Sequence, residues 1–257
     1  MHLPERRVVL ALMAHPDDAE FLCGGTLIRL AENGWEVHIA TCTPGDCGTT
    51  SEDTWAISAR RTAEARQAAA MIGAAYHCLD ERDGMVVYDK PAIAKATDLM
   101  RRVTPSLVIA HAPKDYMLDH EMASLLARGA SFLYAAPNAS AFPLHPQARV
   151  PFLYYCDPVD GIDPLGQPVV PTTYVDITAQ LEKKATMLAC HASQREWLRA
   201  HHGTDEYIDA MKRHAAMRGT LVGLAAAEAF VQHRGHAYPK DDLLAELFGP
   251  TARSSNR

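Results

Sequence analysis

Apolar positions along this chain fall into two alternating rhythms. RRVVLALMA (6–14), WEVHIATCT (35–43), AAYHCLD (74–80), PSLVIAHAP (105–113) and VPFLYYCD (150–157) are short runs rich in β-branched and aromatic residues, which predicts strands. The first has no polar alternation and so reads as a strand buried on both faces. Between these runs, residues 17–33, 57–73, 90–103 and 119–135 carry helical spacing. Asn33-Gly34 and Gly73 act as stops, and Pro91 stands in a first turn. Strand–helix alternation of this kind predicts an α/β fold, a mostly parallel sheet with helices on both faces. A Rossmann-like order with the first strand central is the expectation.

The second half changes character. Residues 136–150 and 158–171 read as loops that would shape a pocket, and TYVDIT (173–178) as a short strand. Residues 179–201, 205–219 and 221–233 read as a C-terminal helical elaboration, the last rich enough in small residues for close packing. The polar tail TARSSNR (251–257) reads as disordered. No repeat or linker interrupts the chain, so residues 1–250 are expected to form one domain.

Composition narrows the function classes. The chain has 257 residues, enough to bury a sizeable core, and a formal charge of −6 argues against nucleic acid as principal partner. No apolar run approaches a membrane span, and Val8 to Ala14 is too short for a signal peptide. Six cysteines at irregular spacing, with no CxxC, predict a reduced, cytoplasmic protein.

Chemistry concentrates at the ends of the predicted strands, where open α/β sheets build their sites. The first strand runs into His15, Pro16, Asp17 and Asp18. His15 and Asp18 are three apart across a strand-to-helix turn, so both can face one point. A second histidine from elsewhere would complete a three-ligand zinc site with a position open for water. Asp119-His120, after the fourth strand, best supplies it. Asp17 would then be free to act as general base. The competing reading is capping: an aspartate at a helix start commonly satisfies the first backbone N–H groups, and Asp119 could do this for its own helix.

AHPDDAEFLCGGTL (14–27) resembles the AHPDD signature of the PIG-L/LmbE-like zinc-dependent de-N-acetylases, which include the N-acetylglucosaminyl-phosphatidylinositol, mycothiol and bacillithiol deacetylases. The resemblance continues through RRTAEARQAAAMIG (60–73) and PSLVIAHAPKDYMLDHEMAS (105–124), similar to that family's R-x-x-E-A helix and D-Y-H-P-D-H block. It implies a Rossmann-like fold, one catalytic zinc (another divalent metal is an alternative) and hydrolysis of an acetamide on a glucosamine-type sugar. Carried over by position, His15, Asp18 and His120 become metal ligands and Asp17 the base. Arg61 would approach substrate and Glu64 would brace it, unless the two form only a surface pair.

One departure stands out. The family block has a histidine three before the ligand histidine, proposed there to stabilise the oxyanion or protonate the leaving amine; here that position is Met117, which can do neither. His111, His145, His191, His233 and His236 are the candidate substitutes. His233 and His236 could serve a neighbouring copy's site in a homo-oligomer. His111 and Trp55 are candidate substrate contacts, and Ser193 and Gln194 in CHASQREW (190–197) candidate supports or helix-packing residues. The expected partner is a small N-acetylated molecule. The alternative is a non-catalytic metal or sugar-conjugate binder. A nucleotide-dependent enzyme is set aside because the first turn has no GxGxxG and its carboxylates would repel a pyrophosphate.

Overall fold

A computed structural model describes residues 4–202 and 206–249. The tail at 251–257 lies outside them. In chain order the main elements are β1 (Val8–Met13), α1 (Asp18–Glu32), β2 (Glu36–Thr41), α2 (Thr54–Ala70), β3 (Ala75–Cys78), α3 (Lys90–Val103), β4 (Leu107–Ala110), α4 (Leu118–Leu133) and β5 (Phe152–Cys156). They are followed by β6 (Thr173–Asp176), α5 (Leu181–Ala189), α6 (Ala192–His202), α7 (Tyr207–Thr220), β7 (Ala227–Gln232) and α8 (Leu243–Phe248).

The seven strands form one sheet in the order β3-β2-β1-β4-β5-β7-β6. β1 to β5 pair in parallel, whereas β7 pairs antiparallel with both β5 and β6. The mixed α/β fold with a mostly parallel sheet is therefore as the sequence predicts. Period-two alternation sends Val9, Ala11 and Met13 of β1 into the core beneath α1, α5, α7 and α8. Val8, Leu10 and Leu12 enter the opposite core beneath α3 and α4. Burial on both faces is why that strand carries no polar alternation. Asp53 and Asp89 cap α2 and α3 by accepting from Ala56 N and Ala92 N.

Two expectations for the second half fail. Residues 221–233 are not a helix: α7 ends at Thr220, Gly223 turns the chain at φ +74°, and 227–232 insert as β7 between β5 and β6. The alanine-rich run has good helix propensity, but a place inside the sheet with nearly every side chain buried outweighs it. Residues 179–201 are likewise two helices, broken at Cys190-His191.

A buried ion pair locks β7 in place. Lys184 Nζ of α5 donates to Glu228 Oε1 at 2.7 Å, and the same carboxylate accepts from Gly25 N and Thr26 N of α1. Glycine is required at 25, because a Cβ there would lie 2.6 Å from the Ile177 side chain. Removing one partner strands the other charge in the core, so Glu228→Ala or Lys184→Ala is expected to cost about 3–5 kcal/mol, read as a lowered urea midpoint.

Candidate metal and hydrolytic site

The chain leaves β1 at Met13 and re-enters helix at Asp18, and the turn between them is under strain. Asp17 takes the N-cap position with φ 103° and ψ −25°, a left-handed conformation that costs a non-glycine residue about 1–3 kcal/mol. Its side chain makes no capping bond. The capping reading therefore fails at Asp17, and it fails at Asp119 too. The N-cap of α4 is Met117, while Asp119 accepts from Gly84 N and Val86 N in a distant loop.

His15, Asp18 and His120 converge, each offering one ligand atom, with those atoms within 4.8 Å of one another. His15 Nδ1 lies 3.4 Å from Asp18 Oδ2, and His120 Nε2 lies 3.5 Å from Asp18 Oδ1. The outward nitrogens are held by carboxylates. His15 Nε2 lies 3.2 Å from both Asp83 and Asp119, and His120 Nδ1 lies 2.9 Å from Asp115. Carboxylates behind ligating histidines fix the ring and its tautomer in metal centres. Asp18 is fixed as well: its Oδ2 accepts from His15 N at 2.7 Å and lies 3.0 Å from His111 Nε2.

Electrostatics follow from this packing. Burial alone would raise the Asp18 carboxyl, but His120, His111 and His15 hold it well below the usual range. Burial would lower His15, but Asp119, Asp18 and Asp83 raise it well above its ordinary value. Asp17 goes the other way: burial pushes its carboxyl up, against the pull of Arg61. Adjacent carboxylates thus acquire opposite tendencies, a pattern that divides acid–base work from charge binding.

Arg61 of α2 is buried and faces Asp17. Its Nη2 donates to Pro16 O at 2.8 Å and lies 3.5 Å from Asp17 Oδ2, and its Nη1 donates to Gly45 O. The loop after β2 permits this because a Cβ on Gly45 would sit 2.3 Å from the guanidinium. Glu64, one helical turn on, accepts from Ser193 N and Ser193 Oγ at 3.0 and 2.5 Å, which fixes the start of α6. Gln194 Nε2 then donates to Gly48 O. Glu64 therefore anchors α6 rather than forming only a surface pair, and Ser193 and Gln194 act as supports.

These elements border a cleft of about 400 Å³ that includes His15, Asp17, Asp18, Arg61, Met117 and His120. Asp18, Tyr116, His120, Leu198 and Tyr207 are shared with an adjoining chamber of about 420 Å³. Tyr207 is not singled out by sequence, yet it lines the same cleft as Asp17 and stacks on Phe21. It belongs to α7, far along the chain, and no local motif marks it. Asp83 and Asp115 were also not assigned; only their acidity beside polar strand ends could have flagged them.

The other candidates disperse. His111 is wholly buried behind Asp18, so it orients that carboxylate and does not reach the cleft as a substrate contact or proton donor. Trp55 is 87 % exposed and does not line the cleft. His191 is buried 3.4 Å from Glu20, outside the cleft lining. His233 packs on Tyr155 and Tyr238 in a separate pocket, and His236 is exposed. His145 lies 3.4 Å from Arg6, before β1, at the opposite end of the sheet. The 136–150 loop is at that end too, with Phe142 O accepting from Arg101, so it does not shape this cleft. No described imidazole outside the convergent cluster takes the place left by Met117.

Known proteins resemble this chain in sequence and fold. Residues 10–131 match PIG-L, the GlcNAc-PI de-N-acetylase family. The chain is 28 % identical to the 4-oxalmesaconate hydratase of Pseudomonas putida, over 91 % of this chain and 90 % of that protein. It is 26 % identical to the diacetylchitobiose deacetylase of Thermococcus kodakarensis, over 72 % and 69 %. The structure of the N,N'-diacetylchitobiose deacetylase of Pyrococcus horikoshii superposes with a TM-score of 0.77 at 25 % identity, covering 93 % of this chain and 89 % of that one.

The Glu64–Ser193 contact generates a test that needs no ligand. Glu64→Ala leaves the Ser193 N–H and hydroxyl without their buried acceptor, at about 1–3 kcal/mol. Amide hydrogen exchange at the start of α6 is expected to accelerate, with β1 and β4 unaffected.

Proposed function

We propose, from the premise that this chain belongs to the PIG-L family of de-N-acetylases, that it is a metal-dependent amidohydrolase. Its substrate would be an N-acylated amine, with an N-acetylated sugar conjugate as the reference case. The observation that carries this reading is the division of roles among neighbours. His15, Asp18 and His120 converge with their outer atoms anchored, while the adjacent Asp17 is buried and raised.

The donor set of two imidazoles and one carboxylate suits zinc, or another divalent ion, and His15, Asp18 and His120 would hold it. When bound, such an ion supplies Lewis acidity and an acidified water. Asp17 takes a proton from the water as its oxygen bonds to the amide carbon, and returns it to nitrogen as the C–N bond breaks, giving a carboxylic acid and an amine. A carboxyl raised by burial is suited to both steps, because it can hold and release a proton closer to neutrality. Arg61 fixes the strained turn through Pro16 O and faces the carboxylate. Tyr207 lines the same cleft as Asp17 and Met117 and offers a hydroxyl there as the candidate donor once Met117 replaces the family histidine.

The hydratase relative favours a second reading, addition of water to an unsaturated carboxylic acid. Such an anion needs cationic groups in the cleft. The buried guanidinium of Arg61 is already engaged by Pro16 O, Gly45 O and Asp17, and Asp17, Asp18 and Asp83 line the same space. A bound divalent ion would supply positive charge to either substrate, so the amide reading rests on the family match. The setting we propose is cytoplasmic: all six cysteines are unpaired, and among the described residues no helix is long and apolar enough to cross a membrane.

Release of free amine from a panel of N-acyl sugars, beside loss of absorbance from unsaturated acids, separates the two readings. Amine release supports hydrolysis; absorbance loss alone overturns it. Asp17→Asn is expected to lower kcat about 10²–10⁴-fold with metal content unchanged. Asp115→Asn, which releases His120, is expected to weaken zinc binding about 10–100-fold in a competition titration, and chelation should abolish turnover until zinc is restored.

A further inference from the structure

The cleft has two compartments on either side of Asp18 and His120. The half on the Asp17 side, polar in that it carries the charged side chains Asp17, Arg61 and Asp83 with Gln194, is also lined by Met117, Trp197 and Leu198. Beyond Asp18 and His120, the adjoining chamber of about 420 Å³ is walled by Phe21, Leu22, Val159, Leu198 and Ala210, with Glu206 among its lining residues. That volume lies in the range of pockets that enclose whole small ligands, so the single methyl of an acetyl group would fill little of it. Phe21 and Leu22 are almost wholly buried. A sugar placed there would find side-chain partners only in Tyr116, Glu206 and Tyr207 besides Asp18 and His120, and its remaining hydroxyls would lose water against Phe21, Leu22, Val159, Leu198 and Ala210.

We propose that this chamber is an acyl-chain subsite and that the substrate is an N-acyl amine whose acyl group is a short aliphatic chain rather than acetyl. The assignment rests on the amidohydrolase reading and follows from where Asp17 stands. Asp17 lines the polar half and not the chamber. The nitrogen that receives the proton from Asp17 must therefore face the polar half. The carbonyl carbon's other substituent, the acyl chain, then points across Asp18 and His120 into the apolar half. Val159, Leu198, Tyr207 and Ala210 come from beyond residue 131, outside the segment that matches the family, and close over Phe21 and Leu22 from within it.

The test is a series of N-acyl glucosamines with acetyl, butyryl, hexanoyl and octanoyl groups, assayed by free amine released. kcat/KM is expected to rise about fourfold per methylene until the chamber is filled. In Ala210→Trp, which occupies the chamber, the ratio of hexanoyl to acetyl efficiency should fall toward one. If that variant does not fold, Val159→Trp makes the same test from a loop. Equal or declining efficiency along the series overturns the proposal. Calorimetric binding of hexanamide and acetamide provides a readout independent of turnover. Tighter binding of hexanamide, lost in the filled variant, with no amide hydrolysed, supports the subsite and overturns the amidohydrolase reading instead. Turnover of acetyl and hexanoyl substrates alike, with equal binding of the two amides, overturns the subsite and leaves that reading standing.

Discussion

A carboxylate buried at the first turn of a helix is stable only if positive or donating groups surround it, and Asp18 imposes that constraint on the whole molecule. It draws a backbone N–H from His15 and three imidazoles, from β1's end, from β4's end and from the start of α4. Two of those imidazoles, His15 and His120, in turn have Asp83, Asp119 and Asp115 behind them. Asp119 then captures the 84–86 loop through two backbone N–H groups. The parallel sheet brings these segments to one edge, and the charge alternation outward from Asp18 gives each its place.

Asp17 escapes that alternation. One residue earlier and in a left-handed backbone, it leaves the imidazole cluster and meets Arg61 and Tyr207 instead. The strain of the turn separates two adjacent carboxylates into different environments. Arg61 can reach Asp17 because glycines at 45 and 48 give it room. Glu64 on the same helix fixes α6, which brings Trp197 and Leu198 to the cleft wall. Chemistry and cleft shape are therefore connected through α2.

The second half of the chain encloses what the first half assembles. Lys184, Glu228, Gly25 and Thr26 tie α5, β7 and α1 into one block. The break at Cys190-His191 lets the chain turn back toward α2, and α7 adds Tyr207 and Ala210. The candidate site thus acquires part of its walls from outside the segment that matches the family model, and those walls carry the argument for substrate shape.

Local pattern was enough to reveal the parallel sheet, β1's burial on both faces and the meeting of His15 with Asp18. Each of these depends on periodicity or short spacing, which a linear chain displays directly. It could not reveal β7, because the alanine-rich run at 227–232 owes its strand state to neighbours β5 and β6 and to a lysine 44 residues away. Nor could it sort the histidines. His111, His145, His191, His233 and His236 look alike in sequence, and only packing put one behind Asp18, one at the far end of the sheet and the others outside the cleft. Asp115 meets His120 only five residues on, whereas Asp83 and Tyr207 belong to the site through contacts made across the fold. Such contacts are fixed by burial and charge in three dimensions, and tertiary structure alone decides them.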